Sequence, residues 1–292
     1  MLYVADWRSS AIVEIEHFHR ESLWRRLAFP WPVSTLSEPA GLAIYPDGRL
    51  LIADRGNHRI VVWSRDAVPP TVLTSDTDPI GALWHPGGVA VGPAGSLLIA
   101  DTGNRRIVHC ESLEEPTWSA FGKAGQGPGE FVSPTSVAAD AMGRIVIADP
   151  GAGRLVRIDG MDGTGWTELT LPESRFLARP YGLTAPLGGI LIADPGTRRI
   201  LLLSTDEEGG DQCTVLIDGT EENTLLQAPT VAIEFDGSLY IADPAGASLA
   251  LFHPEEDAVH WTLADRLYGE LEAFPSPLFP RIGGFTAAGA IV

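Results

Sequence analysis

The sequence predicts an all-β fold: a six-bladed β-propeller of four-stranded antiparallel blades, its ring closed by N- and C-terminal segments that share one blade. Three observations predict it. A stretch of about ten residues recurs, as LLIADRGNHRI at 50–60, LLIADTGNRRI at 97–107 and LIADPGTRRI at 191–200, and a period of about 20–50 residues marks a repeat architecture. Prolines at 39, 86, 134, 180, 229 and 280 open successive units at intervals of 47, 48, 46, 49 and 51 residues. The chain ends read as two halves of one unit. PRIGGFTAAGAIV supplies a first strand and turn and then stops, and LYVADWRSSAIVEIEHF begins at the second strand.

Within a unit the elements follow in a fixed order. PAGLAIYPDGRLLIADRGNHRIVVWS (39–64) gives a short apolar strand, a turn at Asp47-Gly48 and a second strand, RLLIAD. A tight loop, RGNH, and a third strand, RIVVW, follow. Period-two alternation, turn-residue clusters and β-branched content favour strands over helices. The residues left before the next proline have room for a fourth strand, and four-stranded sheets at this spacing are propeller blades. The aspartates of the repeat, Asp6, Asp54, Asp101, Asp149, Asp194 and Asp243, number six. The innermost strand of the shared blade is expected near 281–292 and the rest of that blade within 2–25.

Composition bounds the rest. The 292 residues contain no Ser/Gly tract, charge block or composition shift, so a single unit spanning 1–292 is expected. Apolar residues make up 45% of the chain, enough for a packed core. No apolar run approaches the roughly 18 residues that span a bilayer, and MLYVADWRSS lacks the features of a signal peptide. Cys110 and Cys213 are too sparse for a disulfide framework. Reduced thiols and a cytoplasmic location are therefore expected. A net charge of −18 argues against nucleic-acid binding, which rests on a basic surface. The only lysine, Lys123, sits in a Gly-rich loop, which sets lysine catalysis aside.

The unit P-x-G-[LV]-A-[VI]…G-x-L-L-I-A-D-x-G-N-x-R-I resembles NHL-repeat β-propellers, and FGKAGQGPGEF (121–131) resembles the linker common between their blades. The resemblance runs over essentially the whole chain. It weakens in IADPAGASLALF of blade six and in VADWRSSAIVEI of the shared blade, where Ser248 and Ala11 replace the repeated Arg. It implies the fold; such propellers include scaffolds, receptor sensor domains, RNA binders and a few enzymes. The amidating lyase among related enzymes carries zinc-binding histidines just after the blade-opening proline. Here those positions hold Ala40-Gly41, Gly87-Gly88, Thr135-Ser136, Tyr181-Gly182, Thr230-Val231 and Arg281-Ile282. Nor is the inward Glu/Asn/Asp metal set of gluconolactonase-type propellers identifiable, and neither a metal nor any other cofactor is expected.

Several motifs read as structure. Asp54 and Arg59, Asp101 and Arg106, Asp149 and Arg154, and Asp194 and Arg199 are spaced alike, carboxylate at a strand end and guanidinium at the next strand start. Copied four times, they are expected to staple the loop. GKAGQGPGE (122–130) matches neither phosphate-binding loop pattern and reads as a linker. GASLA (246–250) falls where a strand begins, without a strand-turn-helix corner. His17 and His19 in EHFHR are too few for a zinc site and read as a solvated edge. Trp261, Leu263, Leu267 and Leu271 lie at roughly helical spacing ahead of Pro275, which predicts a short amphipathic helix within 255–279.

Function belongs where the repeat is broken. A non-catalytic recognition module, binding a protein, peptide or small anionic ligand at the channel mouth, is expected. The alternative is an enzyme of lyase, hydrolase or cyclase type with its site at the same mouth. No nucleic-acid or membrane partner is expected. Trp84, His85, Arg179, Tyr181 and Arg281 flank the opening prolines. The loops after each repeated Asp lie on that side too. They hold Arg8, Arg55, Arg59, Arg105, Arg106, Arg154, Arg198 and Arg199 against six aspartates, a balance of +2 that leaves −20 for the rest. Such polarity steers an anionic partner to one face. Arg55, His58, Arg105, Arg198 and Arg281 are its expected contacts.

Overall fold

A computed structural model describes residues 1–16, 24–30, 32–33, 35–66, 69–73, 80–169, 177–185, 189–205, 210–221, 226–246, 248–255, 261–268 and 282–287. Six four-stranded antiparallel sheets form the ring. Blade two is Pro39–Ile44, Leu50–Asp54, Arg59–Trp63 and Thr71–Leu73; blade three is Gly88–Val91, Leu97–Asp101, Arg106–Cys110 and Trp118–Phe121. Blades four and five begin at Ser136–Ala139 and Gly182–Thr184 and end at Thr167–Leu169 and Asp211–Asp218. Blade six runs from Val231–Phe235 to Trp261–Tyr268.

The shared blade closes as the chain ends imply. Ile282–Ala287 is its innermost strand, followed outward by Leu2–Asp6, Ala11–Ile15 and Trp24–Arg26. Leu2 stands opposite Ala287 and Ala5 opposite Gly284, with a bulge at Ala5/Asp6. The turn expected after this strand lies outside the described residues.

The second strand of blades one to five is buried on both faces, which explains why LLIA is continuously apolar rather than alternating. Leu50 and Ile52 pack with Tyr3, Ala5 and Ile12 of blade one. Their neighbours Leu51 and Ala53 pack with Leu97, Ile99 and Val108 of blade three. One strand thus serves two interfaces, and the core is a cycle of such interfaces between blades.

The expected helix within 255–279 is not formed over its described part. Trp261–Tyr268 is the outer strand of blade six, Trp261 facing Pro254 and Leu263 facing Phe252, with a bulge at Leu251/Phe252. Pairing to an open sheet edge satisfies its backbone groups, and Trp261 packs onto the core of blades five and six. The 122–131 stretch is a linker: Lys123–Ala124 and Glu130–Phe131 pair in parallel. Glu130 accepts the Gln126 and Gly127 amides, and buried Phe131 anchors the end. Ser248, also buried, opens a strand opposite Asp243. His17 and His19 lie outside the described residues.

Candidate functional site

The repeat motif explains one face of the ring. Each repeated Asp is buried at the end of the second strand. Asp54, Asp101, Asp149, Asp194 and Asp243 accept amides from the segment leading into their own blade, whereas Asp6 accepts the Arg8 and Ser9 amides of its own loop. Asp54 takes the Ser37 N–H at 2.7 Å, Asp101 the Trp84 N–H at 2.7 Å and Asp149 the Ser133 N–H at 2.7 Å. Asp194 takes the amides of Ala178 and Arg179, and Asp243 those of Gln227 and Ala228. The repeated Arg binds the same segment's carbonyls while pairing with the Asp. Arg59 donates to Asp54 at 2.7 Å and to the carbonyls of Val33 and Thr35. Arg106 donates to Asp101 at 2.8 Å and to the carbonyls of Ile80, Gly81 and Ala82. Asn57 and Asn104 bridge Asp and carbonyl in the same way. The motif glycine is there for close approach: a Cβ on Gly103 would lie 2.0 Å from the Trp84 ring.

Two pairs depart from the pattern. Arg154 stands 3.8 Å from Asp149 and donates to the Glu130 and Gln126 carbonyls. Arg199 turns to Asp218 of the outer strand, at 2.9 Å, instead of to Asp194. The Arg199–Asp194 staple expected from spacing is therefore not made. Both arginines still tie the loop to its surroundings.

Residues that break the repeat gather at the junction of blades two and three. His58 caps the loop Arg55–Asn57 in the left-handed conformation, φ +58°. Its imidazole stacks on Trp84, ring centroids 4.3 Å apart and 16° from parallel. His85 meets His58 edge-on at 4.4 Å. The His85 amide donates to His58 Nδ1 at 3.2 Å, so neutral His58 carries its proton on Nε2. Trp84 remains half-exposed, at 51%. Burial, with His58 and Arg55 nearby, pushes the His85 imidazole below its ordinary pKa, while Glu38 opposes the shift. His85 Nδ1 is buried and unpartnered. Glu38 and His85 both have positive φ, at +50° and +48°, directly before prolines, where the chain is already restricted.

The expected contacts divide. His58, Trp84 and His85 come together. Arg55 is held by Glu38 at 3.0 Å, a partner on the same face that the sequence count did not include. Arg105 and Arg198 occupy the loop position of His58, also with positive φ, and are exposed without an ion-pair partner among the described residues. Arg179 is exposed in the lead-in segment of blade five. Tyr181, 38% exposed, borders the channel mouth instead of the aromatic cluster. Arg281 lies outside the described residues. Among the described residues no group of three or more His, Cys, Asp or Glu is arranged to hold a metal. Cys110 is buried, and burial pushes the Cys213 thiol up to about 11, away from nucleophilic chemistry.

Comparison with known proteins agrees with this architecture. The NHL repeat family model matches residues 36–63 and 83–110. No curated protein matches the chain by sequence. A chain of the crystallised nidogen/laminin complex is similar over 97% of this chain and 96% of that one, with a TM-score of 0.71 and 18% identity. Virginiamycin B lyase from Staphylococcus aureus is similar over 82% and 73%, with a TM-score of 0.56 and 16% identity. A gluconolactonase from Xanthomonas campestris is similar over 77% and 74%, with a TM-score of 0.55 and 16% identity. At these identities the likeness is one of fold, shared by a protein-complex component and by enzymes. The chain is a six-bladed β-propeller in which blades two and three match the NHL repeat.

Proposed function

We propose that the protein is a non-catalytic recognition module whose loop face takes an acidic segment of a protein partner, centred on Trp84. The observation that carries this reading is the half-exposed Trp84 ring, fixed between His58 and Gly103. Arg105 lies two residues after Gly103, on which Trp84 packs. An aromatic anchor held rigid by its neighbours, on a face that also carries exposed Arg, has the composition of a binding hot spot. The repeated arginines are occupied by the fold, which leaves Arg105, Arg179 and Arg198 for a partner. The +2 balance of the loops within a chain of −18 favours carboxylates on this face over the other, although Glu38 offsets Arg55. The likeness to a chain of the nidogen/laminin complex supports a protein partner as the kind of ligand such a disc can carry.

The test is fluorescence anisotropy with a labelled peptide of alternating glutamate and leucine. Binding should weaken as salt rises. Arg105→Glu with Arg198→Glu should cost about tenfold or more in affinity, given charge-assisted contacts, and flatten the salt dependence. Trp84→Ala should weaken binding with the melting temperature kept, since the ring is half in solvent. Arg55→Glu should matter less, because Glu38 already neutralises Arg55. Binding indifferent to these changes refutes the assignment.

A further inference from the structure

The bore of the ring changes character along its length. All described inner strands start at the loop face and run to the opposite one. Near the loop face Gly41, Gly88 and Gly182 each lie two residues after an opening proline and have no room for a side chain. A Cβ on Gly41 would fall 2.7 Å from Gly88 Cα, on Gly88 2.8 Å from the Thr135 carbonyl oxygen, and on Gly182 2.1 Å from the Thr230 carbonyl oxygen. Backbone therefore packs on backbone there, and the space left is 40 Å3. Beyond Leu42, Val89 and Leu183 the bore opens to a cavity of 220 Å3 on the opposite face.

The described side chains that line this cavity are apolar except Thr184 and Glu234, while backbone groups of the inner strands make its wall about as polar as apolar. Ile44, Val91, Ala139 and Ile233 line it, and the Thr184 hydroxyl is spent on the Ala232 carbonyl at 2.6 Å. Glu234 is the one ionisable lining residue among the described ones; it is exposed and has no ion-pair or hydrogen-bond partner among them. The remaining inner strand, 282–287, reads Ile-Gly-Gly-Phe-Thr-Ala and contains no ionisable residue. On the rim, Asp47 and Asp140 are neutralised by Arg49 and Arg144, each at 2.6 Å. Asp236, two residues past Glu234, is exposed without such a partner among the described residues.

We propose that this wide end of the channel binds a small organic cation, a protonated primary amine with a short aliphatic tail. Its ammonium sits on Glu234 and its tail in the bore. Size, charge and wall chemistry each select this class. The volume is below the roughly 300–1,000 Å3 of sites for drug-sized ligands, so the ligand is small. The carboxylates of Glu234 and Asp236, without ion-pair partners among the described residues, disfavour anions at this end and attract a cation. A carboxylate accepts charge-assisted hydrogen bonds from an ammonium, and the aliphatic side chains of Ile44, Val91 and Ile233 reward burial of a short run of methylene groups. A metal ion is a poorer fit, because zinc takes at least three protein ligands and calcium about six to eight oxygens, and Glu234 is the one carboxylate lining the wall among the described residues. The site is separate from the loop face, on the other side of the glycine constriction.

Ligand-observed NMR and isothermal titration calorimetry on the full chain, with n-hexylamine, 1-hexanol, hexanoate and calcium chloride as probes, test the proposal. Hexylamine should bind more tightly than hexanol, hexanoate should not bind, and affinity should rise from propylamine to hexylamine. Glu234→Gln, an exposed and isosteric change, should weaken hexylamine by about tenfold or more and leave hexanol unchanged. Arg105→Glu with Arg198→Glu should leave hexylamine binding intact, which separates this site from the loop face. Equal binding of amine and alcohol, full amine affinity in Glu234→Gln, absence of amine binding, or displacement of the amine by calcium would each overturn it.

Discussion

Asp101 is the hub of its loop: it accepts the Trp84 amide, the Asn104 amide group and the Arg106 guanidinium from a fully buried position. Removing it leaves a guanidinium and two N–H groups without their acceptor. Asp101→Ala should therefore lose about 3–5 kcal/mol, the cost of breaking a buried ion pair from one side, as measured by urea denaturation. Asp101→Asn, which keeps an acceptor oxygen, should lose less. A loss of peptide binding with stability unchanged would mark Asp101 as part of the binding site and not a staple. His85 gives a pH dependence at the same scale. Its folded pKa is depressed, so the unfolded chain takes up the proton first as pH falls. The stability it contributes is present above about 6.5, the ordinary imidazole value, and is lost as pH falls below it. His109, depressed by burial, adds in the same direction. Urea midpoints should thus drop between pH 7 and pH 5. In His85→Asn, whose side chain tolerates a positive φ, the drop should be smaller; an unchanged drop would exclude His85 as a source.

At the scale of strands, what the sequence made legible follows from what the repeat encodes. Copied residues solve a copied problem, so the D-x-G-N-x-R motif announced a loop clasp and the split chain ends announced a shared blade. Arg199 escaped because Asp218, its partner, comes from an outer strand whose sequence the repeat does not constrain. Trp261–Tyr268 escaped because its apolar residues fit a helical spacing until an open sheet edge decides the matter. The His58–Trp84 stack joins residues of different blades; spacing could place both on one face but not in contact. A signal for the channel was present, since Gly41, Gly88 and Gly182 hold equivalent positions after Pro39, Pro86 and Pro180. The shared blade yields the prediction at this scale. Removing 282–292 deletes the strand paired to Leu2–Asp6 and exposes the edges of the ring. The truncated chain should aggregate or melt well below the full one in a thermal scan. Melting like the full chain would mean that the closing strand contributes nothing to the ring.

For the whole molecule, the two faces have different jobs to offer. Arginines that the fold does not use stand on one, and a carboxylate that the fold does not use stands in the bore of the other. The repeat builds a rigid ring and leaves chemistry to the positions that depart from it. Arg55 shows why charge counting along the loops overstates that chemistry. Its partner Glu38 lies in the lead-in segment, outside the repeated loop, and folding brings the two together.

The pairing of Leu2 with Ala287 also sets how the ring would fail under tension. The two strands that close it run antiparallel, so both chain ends leave from the same end of the pair. A force drawing the ends apart meets the ladder rung by rung, Leu2 and Ala287 first, then Tyr3 and Thr286, and never loads all the hydrogen bonds together. The seam is a zipper pulled from its open end. Stretched by its termini, the disc unclasps there while the other blades are still whole.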